Sequence, residues 1–144
     1  MNPTVLKKKA LTLYIVMLFF VPVTLLYGAD FVVEEGNITQ TQPGSYVVDG
    51  NTAVSGSFNI NEAESLTFQG INNAQLIWHD QSGLASQING ALHLKDIVFA
   101  LINQMGINIG ANGSIDARSA SLILSSLKIS NPDFFNKNYK FDSE

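Results

Sequence analysis

The sequence predicts an all-β protein that is built from short strands. After residue 29, apolar and polar residues alternate in runs of three to five, and no run follows the 3.6-residue period of an amphipathic helix. Gly, Asn, Ser and Asp bound these runs, and these residue types favour turns. The chain also contains 14 asparagines, which tolerate the left-handed backbone conformation that tight corners require.

The first element is an export signal at residues 1–29. Three lysines at residues 7–9 precede an uncharged apolar run over residues 10–27, and the small residues Gly28 and Ala29 follow it. A basic, then apolar, then small-residue order is typical of a secretory signal peptide. An uncleaved membrane anchor is the alternative, because the run approaches the roughly 20 residues that a spanning helix needs.

Composition limits what the remaining domain, residues 30–144, can be. The net charge of −4 becomes −7 when the three lysines of the signal are removed, and an acidic chain argues against nucleic-acid binding. The chain has no cysteine, which excludes disulfides, thiolate metal sites and cysteine nucleophiles. We therefore expect its stability to come from regular backbone pairing and stacked apolar side chains.

Paired apolar residues mark the strands of this domain in order. The pairs are Tyr46 and Val48, Phe58 and Ile60, Leu66 and Phe68, Leu92 and Leu94, Phe99 and Leu101, Ile107 and Ile109, Leu122 and Leu124, and Leu127 and Ile129. Within each pair the residues are two apart, so their side chains lie on the same face of a strand.

Two architectures fit this spacing. An antiparallel sandwich would use Asp49-Gly50, Asn89-Gly90 and Asn112-Gly113 as hairpin turns. A parallel β-helix would place the same residues at the corners between stacked turns of the chain. Periodicity alone leaves both architectures open.

No catalytic or metal site is evident in the sequence. His79 and Asp80 lie near Ser82, but adjacent strand residues point to opposite faces and no G-x-S-x-G elbow accompanies them. His93 lies between two leucines and is expected to face outward, and its spacing from His79 does not match a metal motif. We therefore predict no enzyme activity, no cofactor and no metal site.

Four segments in order decide between the architectures. Residues 58–69 read FNINEAESLTFQ, residues 86–92 read SQINGAL, residues 99–110 read FALINQMGINIG, and residues 120–141 begin ASLILSSLKIS and include DF and YKF. Together they resemble the N-terminal secretion domain of two-partner secretion exoproteins, the haemagglutination-activity domain of the filamentous haemagglutinin type. The resemblance implies a right-handed parallel β-helix with an N-terminal cap.

The resemblance also implies a function. Such a domain crosses the inner membrane by the general secretory route and is then recognised, unfolded, by the periplasmic domains of an outer-membrane β-barrel transporter. We therefore expect an adhesin-type exoprotein at the cell surface or in the medium, with a host surface glycan or protein as a further partner. Because members of the family continue with more turns, we expect the domain to be incomplete at residue 144.

Four residues are the candidate secretion motif. Asn103, Gly106 and Ile107 match the family's Asn-Pro-Asn-Gly-Ile turn, and Phe134 matches an aromatic position that is expected to pack. Gln104 and Met105 replace the proline and the second asparagine, which predicts a looser turn than in the family.

Two other functions remain open. One is a secreted β-helix that binds or cleaves carbohydrate, for which Trp78, Phe135 and Tyr139 are the candidate stacking aromatics and scattered carboxylates the candidate acids. The other is a truncated remnant without independent activity.

The signal peptide can be tested directly. If the signal is cleaved, mass spectrometry of the exported protein should find a mature N-terminus near Asp30. An exported chain that still begins at Met1 would instead indicate the membrane anchor.

Overall fold

The computed structural model describes residues 30–129 and 141–142, and the predicted signal peptide lies outside these residues. Ten strands and no helix occur in the described part. The strands are β1 (Phe31–Gln42), β2 (Ser45–Gly56), β3 (Asn59–Ile60), β4 (Ser65–His79), β5 (Ser86–Ile88), β6 (Ala91–Ile102), β7 (Ile107–Ile109), β8 (Ser114–Ser125), β9 (Lys128–Ile129) and β10 (Phe141–Asp142).

The strands form a parallel β-solenoid of about four turns. One sheet has the order β1-β2-β4-β6-β8, and a second has the order β3-β5-β7. All pairs from β2 to β8 are parallel, and β9 pairs with β10 in antiparallel fashion. The all-β parallel β-helix is thus confirmed, and the antiparallel sandwich is wrong.

The first turn of the solenoid is covered by an antiparallel strand, as the expected N-terminal cap requires. β1 pairs along β2 from Phe31, opposite Gly56, to Gln42, opposite Ser45. At a register break in this pairing, Asn37 donates its backbone N–H to Thr52 Oγ1 and accepts a bond from the same hydroxyl. The outer edge of the solenoid at this end is therefore β1 and not a strand of the parallel stack.

Each long strand bends at a corner, so the strands are longer than the three to five residues predicted. Ladder breaks mark the corner of β2 at residues 49–51, of β4 at 69–75 and of β6 at 95–98. We call the parts before and after the corner the first and second limbs; β3, β5 and β7 form the third limb. Positive φ angles of 62° at Gly50, 55° at Asn72 and 51° at Asp96 form these corners, which confirms the expected use of Gly and Asn.

Glycine is required where successive turns approach most closely. A Cβ atom on Gly90 would lie 2.3 Å from the carbonyl oxygens of Asn61 and Glu64, and one on Gly113 would lie 2.1 Å from that of Ile88. Both glycines precede a first limb, so they occupy the same corner on successive turns.

Residues that stack in columns along the solenoid form the core. On the second limb Val54, Trp78, Leu101 and Leu124 are in register, which places equivalent residues 24, 23 and 23 positions apart. The inward residues of the first three turns are fully buried, whereas Leu124 on the last turn is 39% exposed. An inward residue of this column is therefore fully buried where the chain packs on both sides of it, whether as a neighbouring turn or, at the first turn, as β1.

Aromatic rings fill the middle of the core. The Phe68 ring stacks between Tyr46 and Phe99, with centroid distances of 5.4 and 5.5 Å, and lies 6.0 Å from the Trp78 ring. Phe58 contacts Trp78 edge-on at 5.0 Å. The indole N–H of Trp78 donates to the Gly56 carbonyl at 3.0 Å, so this buried ring has its polar atom satisfied.

Among the described residues, no helix has the length and apolar character needed to cross a membrane.

Removing the central ring should test this packing. Phe68→Ala is expected to lower the free energy of unfolding by about 3–5 kcal/mol, because it leaves a cavity between two stacked rings. Urea unfolding, followed by the fluorescence of Trp78, measures the change. The free energy of unfolding of Phe68→Leu should lie between that of the unsubstituted chain and that of Phe68→Ala. Leu84→Ala, at a side chain that is 73% exposed, is the control and should change stability by less than about 0.5 kcal/mol. Equal effects of Phe68→Ala and Leu84→Ala would contradict the packing described.

Candidate functional site

Three of the four motif candidates lie at the corner that joins β6 to β7. Asn103 and Gly106 form the turn, and Ile107 begins β7, where it is half-buried against the core. Gly106 has a φ of 104°, which a residue with a side chain adopts only under strain. Phe134 lies outside the described residues.

The turn is closed by hydrogen bonds and contains no proline. Gly106 donates its N–H to the carbonyl of Asn103 at 2.9 Å, and Met105 donates its N–H to Asn103 Oδ1 at 2.9 Å. The second bond is an Asx turn, in which the side chain mimics a backbone carbonyl. Asn103 thus closes the turn through both its backbone and its side chain.

Asn103 also ties this turn to the preceding one. Its Nδ2 donates to the carbonyl of Leu84 and to Ser86 Oγ, both at 2.9 Å. The backbone N–H of Ser86 in turn donates to the carbonyl of Gly106 at 3.0 Å. Asn103 is only 1% exposed, so these bonds form in a dry environment where leaving a donor unpaired is costly.

A buried carboxylate continues this network. Ser86 Oγ donates to Asp80 Oδ2 at 2.6 Å, and the backbone N–H groups of Phe58 and Ser82 donate to the same carboxylate at 3.0 Å. Asp80 is 3% exposed and Ser86 is 1% exposed. We call Asp80, Ser86 and Asn103 the polar column, because they connect three successive turns between the second and third limbs.

The polar column stabilises the charged form of Asp80. Burial alone raises the pKa of a carboxylate, but the bonds from Ser86, Phe58 and Ser82 outweigh it, so the pKa of Asp80 is lowered from its ordinary 3.8. With three donors on its two oxygens, the carboxylate is compensated without a cation.

The chemistry available to the polar column is structural. The Ser86 hydroxyl donates to the Asp80 carboxylate, and both groups are enclosed, so neither is open to a substrate. No buried side-chain nitrogen or oxygen of the described residues lacks a hydrogen-bond partner. The column therefore positions the turn at residues 103–106.

His79 lies in different surroundings from its neighbour. Its Nδ1 is 2.8 Å from Gln81 Nε2, and burial lowers the pKa of His79, an effect that the charge of Asp80 partly offsets. The Asp80 side chain points to the opposite side, toward Ser86 of the polar column, as alternation along a strand predicts.

The second histidine faces outward, as predicted. The His93 side chain is 42% exposed, and its Nδ1 lies 4.0 Å from Asp116 Oδ2. Arg118 donates to the same carboxylate at 2.6 Å, and this hydrogen bond lowers the pKa of Asp116 to about 2. The pair is exposed, so its contribution to stability is small. In the part of the chain that the structure describes, no group of three or more His, Asp or Glu side chains is arranged to hold a metal ion.

An open groove of about 490 Å³ runs along the corner between the first and second limbs. It is lined by polar side chains such as Gln75, Asp96 and Arg118, and none of its lining residues is aromatic. Trp78, the first candidate for stacking a sugar, is fully buried in the core. Phe135 and Tyr139 lie outside the described residues.

Comparison of the chain with known protein-family models, with curated proteins and with solved structures found no match.

The pH dependence of the free energy of unfolding should reveal the stabilising contribution of the ionised Asp80 carboxylate. Its folded-state pKa is lowered, so its ionised form stabilises the fold above about pH 4, and this contribution is lost as the pH falls through the folded-state value. Asp80→Asn should cost about 1–3 kcal/mol at pH 7, because an amide cannot accept from all three donors.

The measurement is urea unfolding from pH 3 to pH 7. The stability of Asp80→Asn should fall less in acid than that of the unsubstituted chain. Asp96→Asn is the matched control, because Asp96 is exposed and Asn tolerates its positive φ of 51°. A control that loses as much stability as Asp80→Asn would show that burial of the carboxylate is unimportant.

Proposed function

We propose that this chain is an exported β-solenoid of the two-partner secretion type. It would carry a cleaved N-terminal signal and a domain that the periplasmic part of an outer-membrane β-barrel transporter recognises. Its destination would be the cell surface or the medium. Adhesion to a host glycan or protein would be a later activity, to which no described residue is assigned.

The position of the motif-like segments supports the proposal. Residues 58–69 cover the third limb of the first turn and the first limb of the second, and residues 86–92 cover the same parts one turn later. Residues 99–110 cover the second and third limbs of the next turn. The first two segments thus occupy equivalent places on successive turns, and the third covers the remaining limbs of the turn that residues 91–92 begin.

The turn at residues 103–106 carries the proposal. Its anchor, Asn103, is buried, whereas the Met105 side chain at its tip is 58% exposed. A partner can therefore contact the tip, while in an unfolded chain the whole motif is accessible. The absence of cysteine fits this route, because no disulfide can lock the chain before it passes through a pore.

The carbohydrate-active alternative has less support. A sugar site in a β-helix needs aromatic platforms or clustered acids in a groove, and the groove described contains one carboxylate and no aromatic ring. The polar column contains a carboxylate and a hydroxyl, but both are enclosed.

Export of a motif variant tests the proposal. Replacing both Asn103 and Gly106 with Ala removes the side-chain anchor and strains the turn, yet leaves the signal intact. In a host that carries the cognate transporter, we expect several-fold less extracellular protein and accumulation of the processed chain in the periplasm. Immunoblots of the medium and the periplasm measure both.

A destabilised control separates recognition from folding. Phe68→Ala weakens the core without touching the turn and should be exported normally, because the transporter recognises the unfolded chain. Unchanged export of the motif variant would contradict the proposal. Equal loss of export in both variants would show that folding, not the motif, limits secretion, and would also contradict it.

A further inference from the structure

Within residues 30–129 and 141–142, the two ends of the solenoid differ in how their edge strands are protected. β8 is the last strand of the main sheet and, in the described part of the chain, pairs only with β6. Its second limb, residues 121–125, carries no charge, and Ile123 is 50% exposed. Natural proteins usually protect such an edge with charged residues, proline or a covering element, because it can pair with another strand.

The opposite end has such protection. β1 covers the first turn in antiparallel fashion and carries Glu34 and Glu35, both exposed. A head-to-tail contact would place the uncharged second limb of β8 against this acidic strand, and that limb has no basic residue to pair with the two carboxylates. Such a contact would also repeat without closing and would generate filaments. The charge distribution therefore disfavours stacking of unlike ends.

The β8 edge is instead complementary to itself. Residues 121–125 read SLILS, which is the same in both directions. When two copies pair in antiparallel fashion about a two-fold axis at Ile123, Leu122 of each copy lies opposite Leu124 of the other. Both leucines are in register with inward core residues of β6, so the pairing would join the two cores.

The hydrogen-bond pattern of β8 suits this arrangement. The carbonyl of Ser125 accepts a bond from the Asn103 N–H at 2.9 Å, so the backbone groups of Ser125 face β6. Alternation along the strand then directs those of Ile123 toward β6, and those of Leu122 and Leu124 toward the open edge. Leu122 and Leu124 would form hydrogen-bonded pairs on either side of a close, non-hydrogen-bonded pair at Ile123.

We propose that two copies of this chain associate end to end through antiparallel pairing of their β8 second limbs. The interface is small. Standard interfaces bury about 800 Å² per partner with 20–30 residues, so the five paired residues, 121–125, would by themselves bury roughly 150 Å² per copy. The dimer is therefore weak, reversible and dependent on concentration. It is independent of the export proposal.

Disulfide trapping tests the register, because the chain has no cysteine of its own. The variants are made in the full chain and purified after any processing by the producing cell. Ile123→Cys should give a covalent dimer under mild oxidation, since the Cα atoms of a non-hydrogen-bonded antiparallel pair lie about 4.5 Å apart. Ser121→Cys and Ser125→Cys should each remain monomeric alone and should cross-link when mixed. Val98→Cys, 37% exposed on the inner strand β6, is the control and should not cross-link.

Sedimentation provides the second measurement. The sedimentation coefficient of the unsubstituted chain should rise with protein concentration up to the value of a dimer. Ile123→Lys should abolish this rise, because it places two like charges opposite each other.

Several results would overturn the proposal. A concentration-independent monomer would do so, as would open-ended filaments or cross-linking of Ser121→Cys alone as efficiently as the mixture. If another protein co-purified with Ile123→Cys and protected its thiol from oxidation, that protein, and not a second copy of this chain, would be the occupant of the β8 edge. Each of these outcomes leaves the export experiment unaffected.

Discussion

Stacking of each turn on the preceding turn in parallel register is the constraint on which the rest of this structure depends. The chain has no disulfide and no helix in its described part, so rung-to-rung hydrogen bonds and the columns they align supply the stability. Every inward side chain needs chain packed on each side, as a neighbouring turn or as the capping strand β1, and the difference between buried Trp78 and partly exposed Leu124 shows this. A single turn has no core of its own, and folding must therefore bring several turns together.

The polar column solves a problem that parallel stacking creates. Where the chain leaves the second limb and turns toward the third, backbone N–H groups face inward and have no ladder partner. Asp80 accepts from two of them, Phe58 and Ser82, and Asn103 accepts from a third, Met105. Ser86 connects Asp80 with Asn103 and makes the arrangement continuous across the turns. Charge in this core thus has a local structural role, which requires donors rather than a counter-ion.

Part of this fold could be predicted from the sequence, because alternation of period two reports which residues face inward. Phe58 and Ile60, and Leu92 and Leu94, lie in the core as their spacing predicted. Whether neighbouring strands run parallel cannot be predicted from period two alone, since both ladders place alternate residues on one face. Here a resemblance in four ordered segments was needed to favour the solenoid.

The candidate site was predicted only at Asn103 and its turn. The sequence does not mark Ser86 as a buried polar residue, and it presents Asp80 only as the neighbour of His79 and as one of several scattered acids. Ser86 is 6 residues from Asp80 on the same turn and 17 residues from Asn103, and the bond to Asn103 forms only when turns stack. Ser86 lies two residues before the apolar Ile88 and therefore on the same, inward face of its strand, and this is the one local signal of the network.

The regular spacing of the second limb has a consequence for how a protein of this kind can change in length. Because Val54, Trp78, Leu101 and Leu124 recur every 23 or 24 residues, duplication or loss of one such unit preserves every inward column. Insertion of a single residue within a second limb would reverse the faces of all residues after it and expose the core. Corners, where the intervals already vary, can absorb small insertions. Evolution of such a chain is therefore expected to proceed in whole turns along its axis and in single residues only at its corners.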